Sequence, residues 1–203
     1  MSLTDVVRKC WARVWLRRSQ FSGRYGQLKA LYTMEDPWGL SSERERARFE
    51  RMNALIAELA PGCDQLLELG SGEGFQTAHL LKVSRHVTGV ELSAQAATRA
   101  KARCPEAELI VGKAEDVAAL LAGRRFDAVT AFEVLYYAKD AGLILEDLKR
   151  LAPIVLVTNY MDLAVRMGSY FEGPGWSRLE DIAAEGVVWR VDVWRDQNEA
   201  GKT

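Results

Sequence analysis

The stretch Gln65-Leu66-Leu67-Glu68-Leu69-Gly70-Ser71-Gly72-Glu73-Gly74-Phe75 decides the fold. A short apolar run meets alternating glycines, and a segment of helical character follows from Phe75. Glycine adopts backbone conformations closed to other residues, so this pattern is a strand-to-helix turn whose main chain can approach a ligand closely. A dinucleotide turn calls for Gly-x-Gly-x-x-Gly, with the pyrophosphate on the helix N-terminus. Here the spacing is Gly-x-Gly-x-Gly behind an acid, which suits a nucleoside without phosphates.

Further apolar runs follow at Val87–Glu91, Glu108–Val111, Phe126–Phe132 and Ile154–Thr158, separated by helical segments. Parallel strands need crossovers, and crossovers are usually helices. The alternation therefore predicts a doubly wound, mostly parallel Rossmann-like α/β sheet of six to seven strands. The last run, Val187–Trp194, alternates Val and Trp with Arg and Asp, and predicts a strand near the sheet edge with one exposed face. About twenty residues past the glycine turn, Val90-Glu91-Leu92-Ser93 places a carboxylate at the second strand tip, where an acid can accept hydrogen bonds from ribose hydroxyls. Ser93 or a neighbour is placed to cap the next helix.

Upstream, Asp36-Pro37-Trp38-Gly39 is turn chemistry. Ser42 and Glu45 then stand as a capping box, and Phe49, Met52, Ile56 and Leu59 recur at helical spacing until Pro61-Gly62 stops the run. Before the turn, Arg8, Lys9, Arg13, Arg17, Arg18, Arg24 and Lys29 interleave with Val6, Trp11, Val14, Trp15 and Leu16. That pattern fits a basic amphipathic helix, either packed on the domain or touching a membrane surface. Residues 1–40 are expected to form an N-terminal helical lid, 41–195 the sheet domain and 196–203 a disordered tail.

With 203 residues, 48 % of them apolar, the chain can bury one α/β core without staples. A formal charge of −1 gives no ground to expect a nucleic-acid partner. Cys10, Cys63 and Cys104 lack metal or redox spacing, and no metal site is expected; His79 and His86 read as structural or surface residues. No apolar run is long enough for a bilayer, and the N-terminus lacks a signal-peptide pattern, so the expected compartment is cytoplasmic.

At these motifs the chain resembles the class I S-adenosylmethionine-dependent methyltransferases, over most of residues 65–158. The resemblance implies S-adenosylmethionine as cofactor and S-adenosylhomocysteine as product. It implies that Glu68, Gly70, Gly72 and Gly74 carry the methionine half and that Glu91, with Leu92 beside it, holds the ribose. Where that family often has Asp-Ala for the adenine amino group, this chain has Lys113-Ala114. Lysine offers no acceptor, so the Ala114 backbone and Glu115 are the expected substitutes. Phe132-Glu133-Val134-Leu135-Tyr136-Tyr137 corresponds to the loop beside the transferred methyl, with an aromatic wall suited to a sulfonium.

Asp36-Pro37-Trp38-Gly39, Glu133 to Tyr137, Thr158-Asn159 and Trp189-Arg190 are similar to the nodulation protein S group, which N-methylates the amino sugar of a chitin-like oligosaccharide. That narrower resemblance implies that Arg48 reaches the cofactor carboxylate, for which a guanidinium fork is well shaped. Trp38, and Tyr32 with it, is expected to line the pocket. An amine acceptor must lose a proton before it attacks, and Glu133 and Tyr137 are the candidate catalytic groups. The expected partner is a small-molecule acceptor such as a saccharide, and the sequence sets no oligomeric state. O-methylation of another metabolite, a non-catalytic cofactor-binding module and a nicotinamide-dependent oxidoreductase remain open alternatives.

Overall fold

The computed structural model describes residues 20–197. The expected basic helix falls mostly on residues 1–19, outside the described residues, as do Cys10 and residues 198–203 of the expected tail. Described strands are β1 (Gln65–Leu69), β2 (His86–Glu91), β3 (Glu108–Val111), β4 (Ala128–Phe132), β5 (Ile154–Tyr160), β6 (Trp176–Arg178), β7 (Ile182–Ala184) and β8 (Val187–Arg195). They form one sheet in the order β3-β2-β1-β4-β5-β8-β6, with β7 also on β8. The β1 to β5 pairings are parallel, and β8 runs antiparallel to β5, β6 and β7. The chain order reverses between β1 and β4, which is where open α/β sheets bind ligands, beyond the carboxyl ends of the strands.

The doubly wound, mostly parallel sheet is as expected, but it has eight strands because the short β6 and β7 carry too few residues to show a period. They also change the place of β8. It is paired along both edges by neighbouring strands, and Asp192, read as an exposed position, is buried and pairs with Arg190 at 2.7 Å.

Seven α-helices accompany the sheet among the described residues: α1 (Tyr25–Leu31), α2 (Glu43–Leu59), α3 (Thr77–Leu80), α4 (Ala94–Arg103), α5 (Val117–Leu120), α6 (Ala141–Leu151) and α7 (Met161–Met167). Met52, Leu55 and Ile56 of α2 pack with Leu66, Leu156 and Val191 on one sheet face. Ile144, Leu145 and Leu148 of α6 pack with Val129, Val155 and Val157 on the other. The α2 start is half a capping box: Ser42 Oγ accepts the Glu45 N–H at 3.4 Å, while the Glu45 carboxylate turns to Arg48 at 2.9 Å. Arg48 is a stronger partner for that carboxylate than the Ser42 N–H, which donates to Gly39 O. Ser93 caps α4 by accepting from Ala96 N. Asp196 is tied to the sheet by donating its N–H to Pro153 O at 2.8 Å, so the ordered chain passes the expected start of the tail. Among the described residues no helix is long and apolar enough to cross a membrane.

Candidate active site

A cavity lies beyond the carboxyl ends of β1, β2 and β4, roofed by residues from Tyr25 to Leu40. The glycine turn forms its floor. Gly70, Gly72 and Gly74 all have positive φ. A Cβ on Gly70 would lie 2.7 Å from Val134 Cγ2, and one on Gly74 would lie 2.9 Å from Ala100 Cα. The turn therefore needs glycine both for its conformation and for the contacts its main chain makes.

Glu91 ends β2 and closes the turn. Its Oε2 accepts the Gly72 N–H at 2.9 Å and its Oε1 accepts the Ser93 N–H at 2.8 Å. Burial pushes this carboxyl above the usual range, and the backbone donors oppose that push. Glu68 on β1 accepts from Thr77 Oγ1 at 2.5 Å. Burial pushes its pKa up to about 7. A carboxyl held this way ionises readily once a cation arrives beside it.

Arg48 reaches the cavity from α2 with only 3 % exposure. Its Nε donates to Glu45, and its guanidinium lies 4.8 Å from the Phe49 ring centre and 5.6 Å from that of Trp189. Its Nη1 is buried without a protein partner. Gln76, 7 % exposed on the same cavity, has neither amide atom partnered. Unmet buried donors are costly unless a ligand satisfies them.

Glu133 follows β4 with φ +59. Its Oε2 accepts from the Tyr160 N–H at 2.9 Å and the Tyr136 O–H at 3.1 Å, while its Oε1 is buried without an aligned hydrogen bond, and the Thr158 hydroxyl lies beside the carboxyl and favours its charged form. Burial raises this carboxyl, and the charge of Arg48 opposes the rise. Tyr137 accepts from Trp38 Nε1 at 3.3 Å, and burial pushes its phenol up to about 12. A phenol so raised keeps its proton near neutral pH and suits holding Trp38 better than removing a proton.

The structure brings Trp38, Arg48, Glu68, Gly70, Gly72, Glu91, Leu92, Ala114, Phe132, Glu133 and Tyr137 to this one cavity, together with Tyr32. Gly74 lies behind it against α4. Glu115 departs from expectation. The 3-10 turn Ala114–Asp116 directs its carboxylate to the Tyr25 hydroxyl, which donates to it, and Glu115 is not part of the cavity lining. Lys113 is exposed. Gln76 and Tyr25 were not expected. Gln76 stands two residues past the last glycine, a position that could have drawn attention, whereas nothing local marks Tyr25. His79 packs its ring 5.3 Å from Phe49, and His86 sits beside Asp64 at the far end of β2, consistent with structural places. Cys63 and Cys104 are buried thiols.

Residues 67–153 match the family model described as a methyltransferase domain, and the sheet around them is Rossmann-like. Among particular relatives, nodulation protein S of Azorhizobium caulinodans is 33 % identical over 109 residues, 52 % of this chain and 50 % of that protein. The chain thus aligns with about half the length of this curated relative. The N-methyltransferase NodS from Bradyrhizobium japonicum WM9, solved in complex with S-adenosyl-L-homocysteine, superimposes with a TM-score of 0.68 at 15 % identity, covering 85 % of this chain and 98 % of that one. The N-terminal domain of EvdMO1 with S-adenosylhomocysteine bound gives 0.60 at 21 % identity, covering 81 % and 85 %.

Proposed function

We propose that this chain is an S-adenosylmethionine-dependent methyltransferase that methylates the neutral amine of a small acceptor, with a sugar amine as the preferred class. The observation that carries the reading is the pair of buried groups without aligned hydrogen bonds on one cavity, Arg48 Nη1 and Glu133 Oε1. One is a spare cationic donor and the other a spare acceptor.

The residues fit the cofactor. Arg48 and Gln76 would hold its carboxylate, Glu68 its ammonium and Glu91 its ribose hydroxyls, with Leu92, Ala114 and Phe132 around the base. When bound, the group supplies a methyl carbon activated by a sulfonium. The protein's own part is positioning, exclusion of water and removal of a proton. Glu133 takes the proton from the acceptor ammonium at Oε1, while Tyr136 and the Tyr160 N–H fix the other oxygen. A carboxyl raised by burial is a better base near neutral pH than an exposed one. Trp38 and Tyr137 form the aromatic wall beside it. The sugar preference is supported by the EvdMO1 domain, which was crystallised in the presence of D-fucose, and by the motifs similar to the nodulation protein S group.

A nicotinamide dinucleotide suits the site less well. The helix after the glycine turn has four residues, and buried carboxylates of Glu68 and Glu73 lie at the turn where a pyrophosphate would need donors.

Methyl transfer to a chitin oligosaccharide with a free terminal amine tests the reading, using radiolabelled cofactor. Glu133→Gln is expected to lower kcat by about 10²-fold or more, with S-adenosylhomocysteine affinity kept within roughly threefold. Unchanged kcat in that variant would remove Glu133 as the base.

A further inference from the structure

We propose that Arg99 and Glu73 are positioning residues that latch the segment 32–36 across the cavity and set how long the cofactor stays bound. This rests on the reading above that the cavity holds that cofactor. Arg99 projects from α4, and its Nη2 donates to Tyr32 O at 2.6 Å and to Met34 O at 3.2 Å. Its Nε lies 2.5 Å from Glu73 Oε1, an ion pair without the alignment of a hydrogen bond. The other oxygen of Glu73 accepts the Asp36 N–H at 2.7 Å. Three main-chain groups of the roof therefore end on one ion pair.

The latched segment is stiff on its own account. Asp36 has φ +45, and its carboxylate accepts from Leu40 N, Ser41 N and Ser41 Oγ at 2.6 to 3.0 Å. On its inner side, the Tyr32 and Trp38 rings lie 4.7 Å apart and both face the cavity. Glu73 stands between Gly72 and Gly74, so the same turn that floors the cavity also anchors its roof. Neither Arg99 nor Glu73 lines the cavity, so the pair acts through the segment it holds.

A ligand held under this roof leaves faster when the roof lifts, and the anchors govern that local opening. The Glu73 side chain is 3 % exposed and that of Arg99 27 %, so removing the cation leaves a buried carboxylate without its counter-charge. Opening is then favoured. Arg99→Lys keeps the charge but has no planar fork, so it cannot serve Glu73 and both carbonyls together.

Stopped-flow release of S-adenosylhomocysteine and trypsin cleavage of the ligand-free protein after Arg24 and Lys29 test the proposal together. In Arg99→Gln, release is expected to accelerate by about tenfold or more, with cleavage at the two roof sites faster in parallel. Arg99→Lys should fall between, and Glu73→Gln, which keeps an acceptor for Asp36 N, should shift both readouts less in the same direction. Lys101→Gln, on the same helix but bonded to Pro105 O and Ala107 O, serves as the control for helix damage. Wild-type release and cleavage rates in the folded Arg99 variants would overturn the latch. Should Arg99→Gln not fold, Arg99→Lys and Glu73→Gln decide it by the same two rates. If the wild type does not bind S-adenosylhomocysteine, the functional reading fails, and the cleavage rates still decide the latch.

Discussion

On the sheet side of the cavity, Glu91 and the glycine turn are set by main chain. Gly72 N and Ser93 N fix the two oxygens of Glu91, and three left-handed glycines shape the turn. On the roof side, the chain is held by side chains: Arg99 and Glu73 at residues 32–36, the Trp38 contact with Tyr137, and Tyr25 on Glu115. Main-chain bonds within a turn form with the turn itself, whereas side-chain anchors between distant segments can break one at a time. On the proposed reading, the sheet side would bind the cofactor and the roof would govern its exchange with solvent.

The sharpest way to break this contrast is Gly74→Ala. Positive φ and a Cβ 2.9 Å from the Ala100 main chain make the change cost about 3 kcal/mol or more. Thermal unfolding should then fall by roughly 6–12 °C. A change under about 2 °C would show that the turn yields, and that the sheet side is no more rigid than the roof.

The same difference can be read by sequence. The alternating glycines, Glu68, Glu91 and the strand runs were legible because a turn and its acid lie within about twenty residues and obey local backbone rules. Arg48 and Trp38 were legible only through resemblance. Glu115 was misplaced because its partner, Tyr25, is 90 residues away, and no period links them. Glu73 and Arg99 went unread for the same reason, since their targets are roof main-chain groups more than thirty residues upstream. Strands β6 and β7, three residues each, offer no alternation to count.

A second prediction concerns charge on the sheet side. Glu68 has its pKa raised to about 7 by burial, from an ordinary value near 4.5. The folded state therefore holds a proton that the unfolded state releases earlier, and stability falls as pH rises from about 4.5 to about 7. Glu91 and Glu133, also raised by burial, act with the same sign. Glu68→Gln should flatten, without abolishing, the fall of Tm over that window for the ligand-free protein. An unchanged slope would mean that Glu68 is better solvated than its burial indicates.

On the roof, Trp38→Phe tests a smaller effect. It keeps the ring and removes one hydrogen bond to Tyr137, worth about 1 kcal/mol. S-adenosylhomocysteine affinity should weaken by roughly threefold to fivefold. A loss near a hundredfold would place the roof on a par with the sheet side in binding.

On the proposed reading, the glycine turn and Glu91 together form the cofactor site. Isothermal titration of S-adenosylhomocysteine into the wild type and Glu91→Ala tests it most directly. Binding near micromolar affinity, weakened about tenfold or more by the substitution, a loss of about 1.4 kcal/mol, is the predicted result. No binding to the folded wild type, or equal affinity in both proteins, would contradict it.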